Sequence, residues 1–178
     1  YHHNMKAAIY SGHGSHSKLR VVENHPTPLV KQGQALIKVF AAGLNARDPK
    51  LMMNKIPSFI IPLPKTIGTD LCGVVISNSK CTSNKFTTGD RVVAMMDVLH
   101  TSDGSVAEYV AIDEKLLAHA PPNISSVECA GIPLTALTVV QAFQPYLKHV
   151  NNQTQNKKVL IQAGAGGLGV FCIQVCCI

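Results

Sequence analysis

The sequence predicts an α/β chain in two parts, a partly closed β-barrel or sandwich followed by the start of a doubly wound parallel sheet. Short β-rich segments separated by turn residues run from Met5 to about Pro122. A short apolar strand, a glycine-rich turn and an apolar helix follow one another between Val159 and Ile178. The chain is 46% hydrophobic and 15% charged, which excludes a disordered protein, and its 178 residues suffice to bury a core.

The first part has the pattern of an antiparallel β domain. Strands that recur at short intervals, with mostly turns between them, are typical of a barrel or sandwich. A short helix is expected after Asn45, with Asn45 as its N-cap and Pro49 in its first turn. The predicted strands are Met5–Tyr10, Leu19–Glu23, Ala35–Ala42, Gly73–Ser77, Arg91–Met96 and Ala107–Ile112.

The second part begins where the pattern changes after Pro121-Pro122. Ser125 is a predicted N-cap, with the acidic Glu128 in the first turn of a helical segment that is broken near Pro133. A polar loop over 151–158 then leads to a buried strand over 159–162 and a helix over 167–178. This helix has no capping or polar exit, so we expect the polypeptide to be truncated, with most of its second domain missing.

The chain ends and the composition add further expectations. Tyr1-His2-His3-Asn4 resembles the remnant of a polyhistidine tag, which gives predicted segments 1–4, 5–124 and 125–178. Six cysteines without a C-x-x-C pair and a polar N-terminal stretch indicate free thiols and a cytoplasmic protein. The net charge is +6, but aromatic residues are few and no run of five like charges occurs, so no nucleic-acid partner is expected.

The glycine-rich segment is the strongest chemical motif. It fits G-x-G-x-x-G between a predicted strand and a helix, where the glycines permit a tight turn and close approach of a diphosphate. Free backbone N–H groups and the helix dipole then stabilise the phosphate charge. The acidic residue that would distinguish a preference for NAD from one for NADP would fall beyond Ile178. The predicted cofactor-binding residues here are Gly164, Ala165, Gly166, Gly167, Leu168 and Gly169.

A membrane anchor is the rival interpretation of the same segment. Val159–Ile178 carries no charge, follows Lys157-Lys158 and is long enough to span a bilayer. However, it contains four glycines and two glutamines, and the glycine cluster would interrupt a spanning helix. We therefore favour dinucleotide binding and expect no membrane partner.

Short segments across nearly the whole chain share the order and spacing of a known family. They are Met5–Ala8, Leu36–Val39, Ala41–Asn45, Ile67–Asp70, Gly73–Val75, Gly89–Val92, Gly104–Tyr109, Pro133–Thr138 and the glycine turn. In this combination the chain resembles the medium-chain dehydrogenase/reductases, on the quinone oxidoreductase (zeta-crystallin-like) branch. That resemblance implies a GroES-like β-barrel followed by a Rossmann domain.

The chain departs from the zinc-bearing members of that superfamily. By resemblance, Asn45 stands where they place a ligand cysteine, and Thr69 stands where they place a ligand histidine. Neither side chain competes as a zinc ligand, because Zn²⁺ prefers thiolate, imidazole or carboxylate. The segment between Met96 and Val106 lacks the four cysteines of their structural zinc lobe. An alternative set of metal ligands would be Cys72 and Cys81 with His100 or His119. Because the spacing of these residues is irregular, we predict no metal.

The resemblance also implies a reaction and the residues that perform it. Without zinc to polarise an alcohol, the expected acceptors are quinones or α,β-unsaturated carbonyls, reduced by hydride from NADPH, with NADH left open. Asn45 and Asp48 would line the nicotinamide end, with Thr138 nearby, and Thr69 and Asp70 would lie on the barrel side. The predicted catalytic residues are Asn45, Asp48, Thr69 and Asp70, and Asn45 and Thr138 complete the cofactor-binding set.

Other roles for these residues remain open from the sequence. Asn45 could cap the short helix, Asp48 could pair with Arg47 or Lys50 on the surface, and Thr138 could bond its own helix backbone. A homodimer is expected for the full-length protein, whereas the 178-residue chain alone is expected to be inactive. The alternative function is a non-catalytic structural or partner-binding paralogue of the same fold.

Overall fold

The computed structural model describes residues 4–55, 62–78, 85–147 and 158–177, which group into two compact units, residues 1–131 and 132–178. Several expectations fall wholly or partly outside the described residues. These are the first three residues of the suspected tag, Cys81, most of the polar loop over 151–158 and the end of the last helix at Ile178.

The first unit is antiparallel β structure, as the sequence predicts. Two sheets occur in its described residues, with strand orders β2-β1-β4 and β7-β3-β5-β6-β8. A bridge between Ala7 and Ala107 joins β1 to the segment before β7, which partly closes the barrel. The strands are β1 (Asn4–Tyr10), β2 (Leu19–Pro26), β3 (Gln34–Gly43), β4 (Lys65–Thr66), β5 (Asp70–Asn78), β6 (Arg91–Met95), β7 (Tyr109–Asp113) and β8 (Leu117–His119).

The barrel core forms because apolar side chains of the five-stranded sheet point to one side. Four of these side chains are fully buried, each beside a neighbour on the adjacent strand: Ile37, Leu71, Val75 and Val92. Burying side chains of this size contributes roughly 1.5–3 kcal/mol each. At the start of β1, Asn4 pairs with Pro26 of β2. The strand therefore begins one residue earlier than predicted, and Asn4, which the sequence assigned to the tag remnant, belongs to the fold.

Two short helices complete the first unit. Helix α1 (Arg47–Met52) has Pro49 in its first turn as expected, but Ala46 is its N-cap, so the prediction of Asn45 as the cap is wrong. Helix α2 (Ser126–Ala130) begins with the predicted Ser125 cap, which forms a reciprocal capping box with Glu128.

Helix α2 packs against β3 and β5. The approach is so close that a Cβ at Gly43 would lie 2.1 Å from the carbonyl oxygen of Ala130. The first unit therefore continues to Gly131, whereas the sequence-based boundary lies after Ile124. The division into domains remains a prediction.

The second unit contains helices α3 (Pro133–Leu147) and α4 (Gly167–Cys176), which contact each other. Pro133 occupies the first position of α3, which explains the predicted break. The predicted strand over 159–162 is wrong, because these residues are irregular and Leu160 is 87% exposed. A buried parallel strand needs flanking strands, and the described residues of this unit supply none. No helix in the described ranges is long and apolar enough to cross a membrane.

Candidate functional site

The buried carboxylate of Asp48 is the centre of a hydrogen-bond network in the first unit. Helix α1 places Asp48 in its first turn, where its backbone N–H donates to the carbonyl oxygen of Asn45 at 2.9 Å. Oδ2 of Asp48 accepts the backbone N–H of Asn45 at 2.6 Å. Oδ1 accepts the hydroxyl of Thr69 at 2.7 Å. Asp48 is only 3% exposed, which excludes the alternative of a surface ion pair with Arg47 or Lys50.

A second carboxylate, Asp70, holds the side chain of Asn45. The Nδ2 amide of Asn45 donates to Oδ2 of Asp70 at 3.0 Å. Asp70 opens β5 opposite Gly43 of β3, which brings it next to the loop that carries Asn45. The network therefore fixes the orientation of the Asn45 amide from two sides, through its backbone and its side chain.

Thr69 is held between two strands. Its carbonyl oxygen accepts the backbone N–H of Met96 at 2.7 Å, just beyond the end of β6. Its hydroxyl is committed to Asp48, and the side chain is fully buried. The structure thus brings together all four predicted catalytic residues, Asn45, Asp48, Thr69 and Asp70, although their catalytic role remains a prediction.

Two ionisable side chains near this network were missed by the sequence analysis. Tyr10 of β1 and Lys65 of β4 pair across the small sheet and are 1% and 2% exposed. Burial, with a contribution from the negative charge of Asp48, raises the pKa of Tyr10 to about 12. Its hydroxyl has no hydrogen-bond partner among the described residues. A tyrosine or lysine inside a strand pattern carries no sequence signal of such an environment.

Lys65 is a buried amine. Its Nζ donates to the carbonyl oxygen of Thr101. Burial lowers the pKa of Lys65 to about 8, although Asp103, Asp97 and Asp48 act in the opposite direction. This combination places an amine that loses its proton more readily than an exposed lysine in the same unit as the Asp48 network.

The donor set of the network does not fit a zinc ion. Asn45 and Thr69 offer an amide and a hydroxyl, and both already donate to carboxylates. The carboxylates of Asp48 and Asp70 accept these hydrogens. No group of three histidine, cysteine or acidic side chains suited to a metal occurs within residues 4–55, 62–78, 85–147 and 158–177.

A cavity of about 1140 Å³ lies in the first unit, beside the network. Residues 25–29, 95–104 and 109–113 form much of its wall, together with Arg47 and Thr66. Arg47 directly precedes Asp48, and Met96 in the wall donates its backbone N–H to Thr69. The volume is of the size that holds a small organic molecule.

The glycine turn lies in the second unit, and it precedes a helix as the sequence predicts. Gly166 is the N-cap of α4, and its N–H donates to the carbonyl oxygen of Ala163 at 2.9 Å. A Cβ at Gly169 would lie 2.3 Å from that same oxygen, so this position requires glycine. The first N–H groups of α4 have no carbonyl partner within the helix and point outward from its positive end.

These features fit the diphosphate of a dinucleotide. The turn residues Ala165, Gly166 and Gly167 are exposed, and Leu168 follows them at the start of the helix. Thr138 of α3 is exposed and donates its hydroxyl to the carbonyl oxygen of Leu134 at 2.7 Å. This is the bond to its own helix backbone that the sequence left open as an alternative role for Thr138. The hydroxyl oxygen of Thr138 can still accept a further hydrogen bond.

The first unit is thus an antiparallel β domain in which an asparagine, a threonine and two aspartates form one hydrogen-bond network. The chain belongs to the alcohol dehydrogenase GroES-like domain family, which it matches over residues 31–122. Its relatives are oxidoreductases of the medium-chain dehydrogenase/reductase superfamily, as the resemblance of the sequence implies.

Two curated plant proteins and one solved structure illustrate the similarity. The chain is 36% identical to an NADPH-dependent alkenal/one oxidoreductase, chloroplastic, of Arabidopsis thaliana, over 96% of this chain and 44% of that protein. It is 33% identical to a quinone-oxidoreductase homolog, chloroplastic, of Spinacia oleracea, over 96% and 52%. The quinone oxidoreductase of Coxiella burnetii superposes with a TM-score of 0.82 at 30% identity, over 97% of this chain and 53% of that chain.

These comparisons bear on the length of the chain and on its expected compartment. The chain spans about half the length of the relatives it matches. The expectation of a cytoplasmic protein is wrong, because both plant relatives are chloroplastic proteins. Free cysteines and a polar first segment are shared by proteins of several reducing compartments, so they could not identify one.

Proposed function

We propose that the protein to which this chain belongs transfers hydride from NADPH to a quinone or an α,β-unsaturated carbonyl without using zinc. The observation that carries this proposal is the network in which Asn45 and Thr69 donate to Asp48 and Asp70. Amide and hydroxyl donors committed in this way leave no zinc ligand set. The names and cofactor of the plant relatives support the acceptor class and NADPH.

The second unit would hold the cofactor. The N–H groups of Gly167, Leu168 and Gly169 at the start of α4 would bind the diphosphate, assisted by the helix dipole. Gly164, Ala165 and Gly166 form the turn that exposes this helix end, and the hydroxyl oxygen of Thr138 would accept a hydrogen bond from the cofactor.

The first unit would orient the reacting groups. When bound, the nicotinamide supplies the hydride. Asp48 and Asp70 fix the amide of Asn45, which keeps its carbonyl oxygen and second amide hydrogen available for the nicotinamide or the acceptor. Thr69 keeps Asp48 in place, and the acceptor needs no metal because its carbonyl is already conjugated.

The test measures NADPH oxidation by the longest form of the protein that contains this chain, with a panel of quinones and enones. We expect turnover that a chelator does not diminish and a purified protein without stoichiometric zinc. Asn45→Ala is expected to lower kcat/KM by about 10–100-fold, because one oriented polar group typically contributes that much. Asn24→Ala, an exposed asparagine in β2, is the matched control.

The 178-residue chain should be assayed in parallel, and we expect it to show no turnover. Absence of NADPH oxidation by the longest form with every acceptor would contradict the proposed function. Loss of activity with a chelator and its recovery with Zn²⁺ would contradict zinc independence alone.

A partner-binding role without catalysis is the second candidate, favoured by apolar side chains that the second unit exposes. Tyr146, Leu160, Leu168, Val170 and Ile173 are each more than a third exposed. Soluble monomers rarely present large contiguous apolar patches. Sedimentation of the chain over a range of concentrations tests this role: self-association with no saturable NADPH binding supports it, and a monomer that binds NADPH excludes it.

A further inference from the structure

Cys72 and Cys129 form a buried thiol pair in the first unit that the proposed reaction does not use. Cys72 lies in β5 and Cys129 in α2, and both are completely buried in one small apolar cluster with Val93 and Ala130. Burial, and to a lesser extent the side chain of Cys129, raises the pKa of the Cys72 thiol, whereas a hydrogen bond with Ser126 lowers it. Two thiols buried in one small cluster, on two different elements, are candidates for a disulfide link.

Arg91 donates a hydrogen bond to the sulfur of Cys129. Its Nη2 donates to Sγ of Cys129 at 3.3 Å, to Oγ of Ser126 at 3.3 Å and to the carbonyl oxygen of Ile124 at 2.9 Å. Its Nη1 donates to the carbonyl oxygen of Pro121 at 2.8 Å. A guanidinium on a sulfur assists attack by the thiolate form. At Cys72 burial is the larger influence and raises the pKa of the thiol, although Arg91 acts in the opposite direction. We therefore assign Cys72 to the second step.

We propose that Cys72 and Cys129 are a redox modification site at which a hydroperoxide converts the pair to a disulfide that links β5 to α2. The Cys129 thiolate attacks the peroxide, the O–O bond breaks, and Cys129 becomes a sulfenic acid while the peroxide leaves as hydroxide. The Cys72 sulfur then attacks the Cys129 sulfur, an S–S bond forms and the oxygen leaves as water. The two thiols lose two electrons in total, and hydrogen peroxide takes them up to give two molecules of water.

The position of the pair gives the link a consequence for the candidate site. Cys72 is two residues from Asp70 on β5, and it pairs with Ala41 of β3, two residues before Gly43. Ala130, the neighbour of Cys129, is the residue whose carbonyl oxygen packs against Gly43. A disulfide would therefore fix α2 against the strand ends that present Asn45 and Asp70.

Because both thiols are completely buried, an oxidant reaches them only through local opening, and α2, the short helix that carries Cys129, is the element we expect to open. The helix has five residues and is held by the Ser125–Glu128 capping box and by the Arg91 bonds. Local opening of such a short element admits a small oxidant such as hydrogen peroxide, whereas bulky reagents are excluded from the closed state.

The experiment uses the 178-residue chain with Cys81, Cys172, Cys176 and Cys177 changed to serine, which leaves only the pair. The chain is treated with hydrogen peroxide, blocked with N-ethylmaleimide and mapped by mass spectrometry without reduction. We expect a peptide linked through Cys72 and Cys129. In the same background, Cys72→Ala and Cys129→Ala supply the single-thiol controls, in which the linked peptide cannot form.

Equilibration with reduced and oxidised glutathione gives a second measurement that does not depend on the peroxide step. Because the folded chain holds the two thiols together, we expect the disulfide to be favoured by about 100-fold over its formation in the urea-unfolded chain. Equal formation in the folded and unfolded chains, or free thiols in the folded chain with a disulfide only in urea, would overturn the proposal.

Variants of Arg91 test the rate of the peroxide reaction. Arg91→Gln is expected to slow peroxide oxidation of the pair by about 10-fold relative to Arg91→Lys, since the lysine retains a positive charge. Equal rates for the two variants would remove the assigned role of Arg91. The glutathione measurement on the unchanged Arg91 background still decides whether the pair forms a disulfide, even where an Arg91 variant fails to fold.

Discussion

The hydroxyl of Thr69 donates to the buried carboxylate of Asp48 across 2.7 Å, joining the start of the five-stranded sheet to helix α1. Twenty-one residues separate the two positions in the chain. Both side chains are almost completely buried, so this bond replaces solvation that neither group can obtain from water. Its strength can be measured directly.

Thr69→Val preserves the shape of the side chain and removes the donor to Asp48. We expect the free energy of unfolding to fall by about 1.5–3 kcal/mol, because the lost hydrogen bond involves a charged group in a buried setting. Urea denaturation of the chain measures the change. Thr88→Val, which removes a 3.3 Å bond from an exposed threonine to the carbonyl oxygen of Ile76, should change stability by no more than about 0.5 kcal/mol. Similar effects for both variants would show that Thr69 is not a key support of Asp48.

Tyr10 should make stability depend on pH in the alkaline range. Its pKa is raised in the folded state from 10.0 to about 12, so the folded chain retains a proton that the unfolded chain has lost. The stabilisation is complete below about pH 10 and disappears as the pH rises towards 12. We expect the stability of the wild type, relative to Tyr10→Phe, to decrease over that interval in urea titrations. A constant difference between the two chains would mean that Tyr10 ionises normally.

Asp48 contributes to the raised pKa of Tyr10, so the two residues should be coupled. Asp48→Asn removes the negative charge at that position and is expected to lower the pKa of Tyr10 from about 12, without returning it to 10.0, because burial is the larger cause. Tyrosinate absorbance measures this, with Tyr10→Phe as the blank for the other tyrosines. An unchanged midpoint in Asp48→Asn would contradict the coupling.

Lys65 should make the stability of the fold increase with pH, in contrast to Tyr10, and over a lower pH range. Its pKa is lowered in the folded state from 10.5 to about 8, so between these values the unfolded chain binds the additional proton. Stability should therefore increase with pH from about 8 to 10.5 relative to Lys65→Met, which cannot titrate. Lys115→Met is the control, because Lys115 is exposed and pairs with Asp113 on the surface. If both variants show the same pH dependence relative to wild type, Lys65 is not desolvated.

The glycine turn makes a prediction that is independent of any ligand. Gly169→Ala should destabilise the second unit by about 1–3 kcal/mol, because its Cβ would lie 2.3 Å from the carbonyl oxygen of Ala163 and the backbone would have to move. Gly167→Ala is the matched control in the same turn, where the nearest atom is a methyl carbon of Thr135 at 3.5 Å. Helix content and thermal unfolding measure both. Equal tolerance of the two substitutions would mean that the turn is not closely packed.

The strands of the barrel were predictable because alternation and turn residues are local properties. Six predicted strands coincide with observed strands to within a few residues, and Ser125 caps α2 as expected. The two short strands β4 and β8 were missed, since two or three residues carry no detectable period. The strand over 159–162 was predicted from a real apolar run, but a parallel strand forms only beside a partner strand.

The residues of the candidate site were likewise predictable from the sequence, but their contacts were not. Motif order located Asn45, Asp48, Thr69 and Asp70 one by one, yet nothing local indicated that Asn45 holds Asp70 while Thr69 holds Asp48. The sequence also left Asp48 free to be a surface carboxylate. Only the packing of α1 against the sheets removes water from Asp48 and makes its partners obligatory.

The order of residues alone therefore determined the class of fold, the position of the glycine turn and the absence of zinc-type ligands at positions 45 and 69, since each depends on residue types and local spacing. Tertiary structure decided the burial of Tyr10, Asp48 and Lys65 and brought Cys72 and Cys129 into one buried cluster. It also altered the pKa values of Tyr10, Lys65 and Cys72. Desolvation and side-chain partners arise from segments far apart in the chain, and these become neighbours only when the two sheets and α2 pack together.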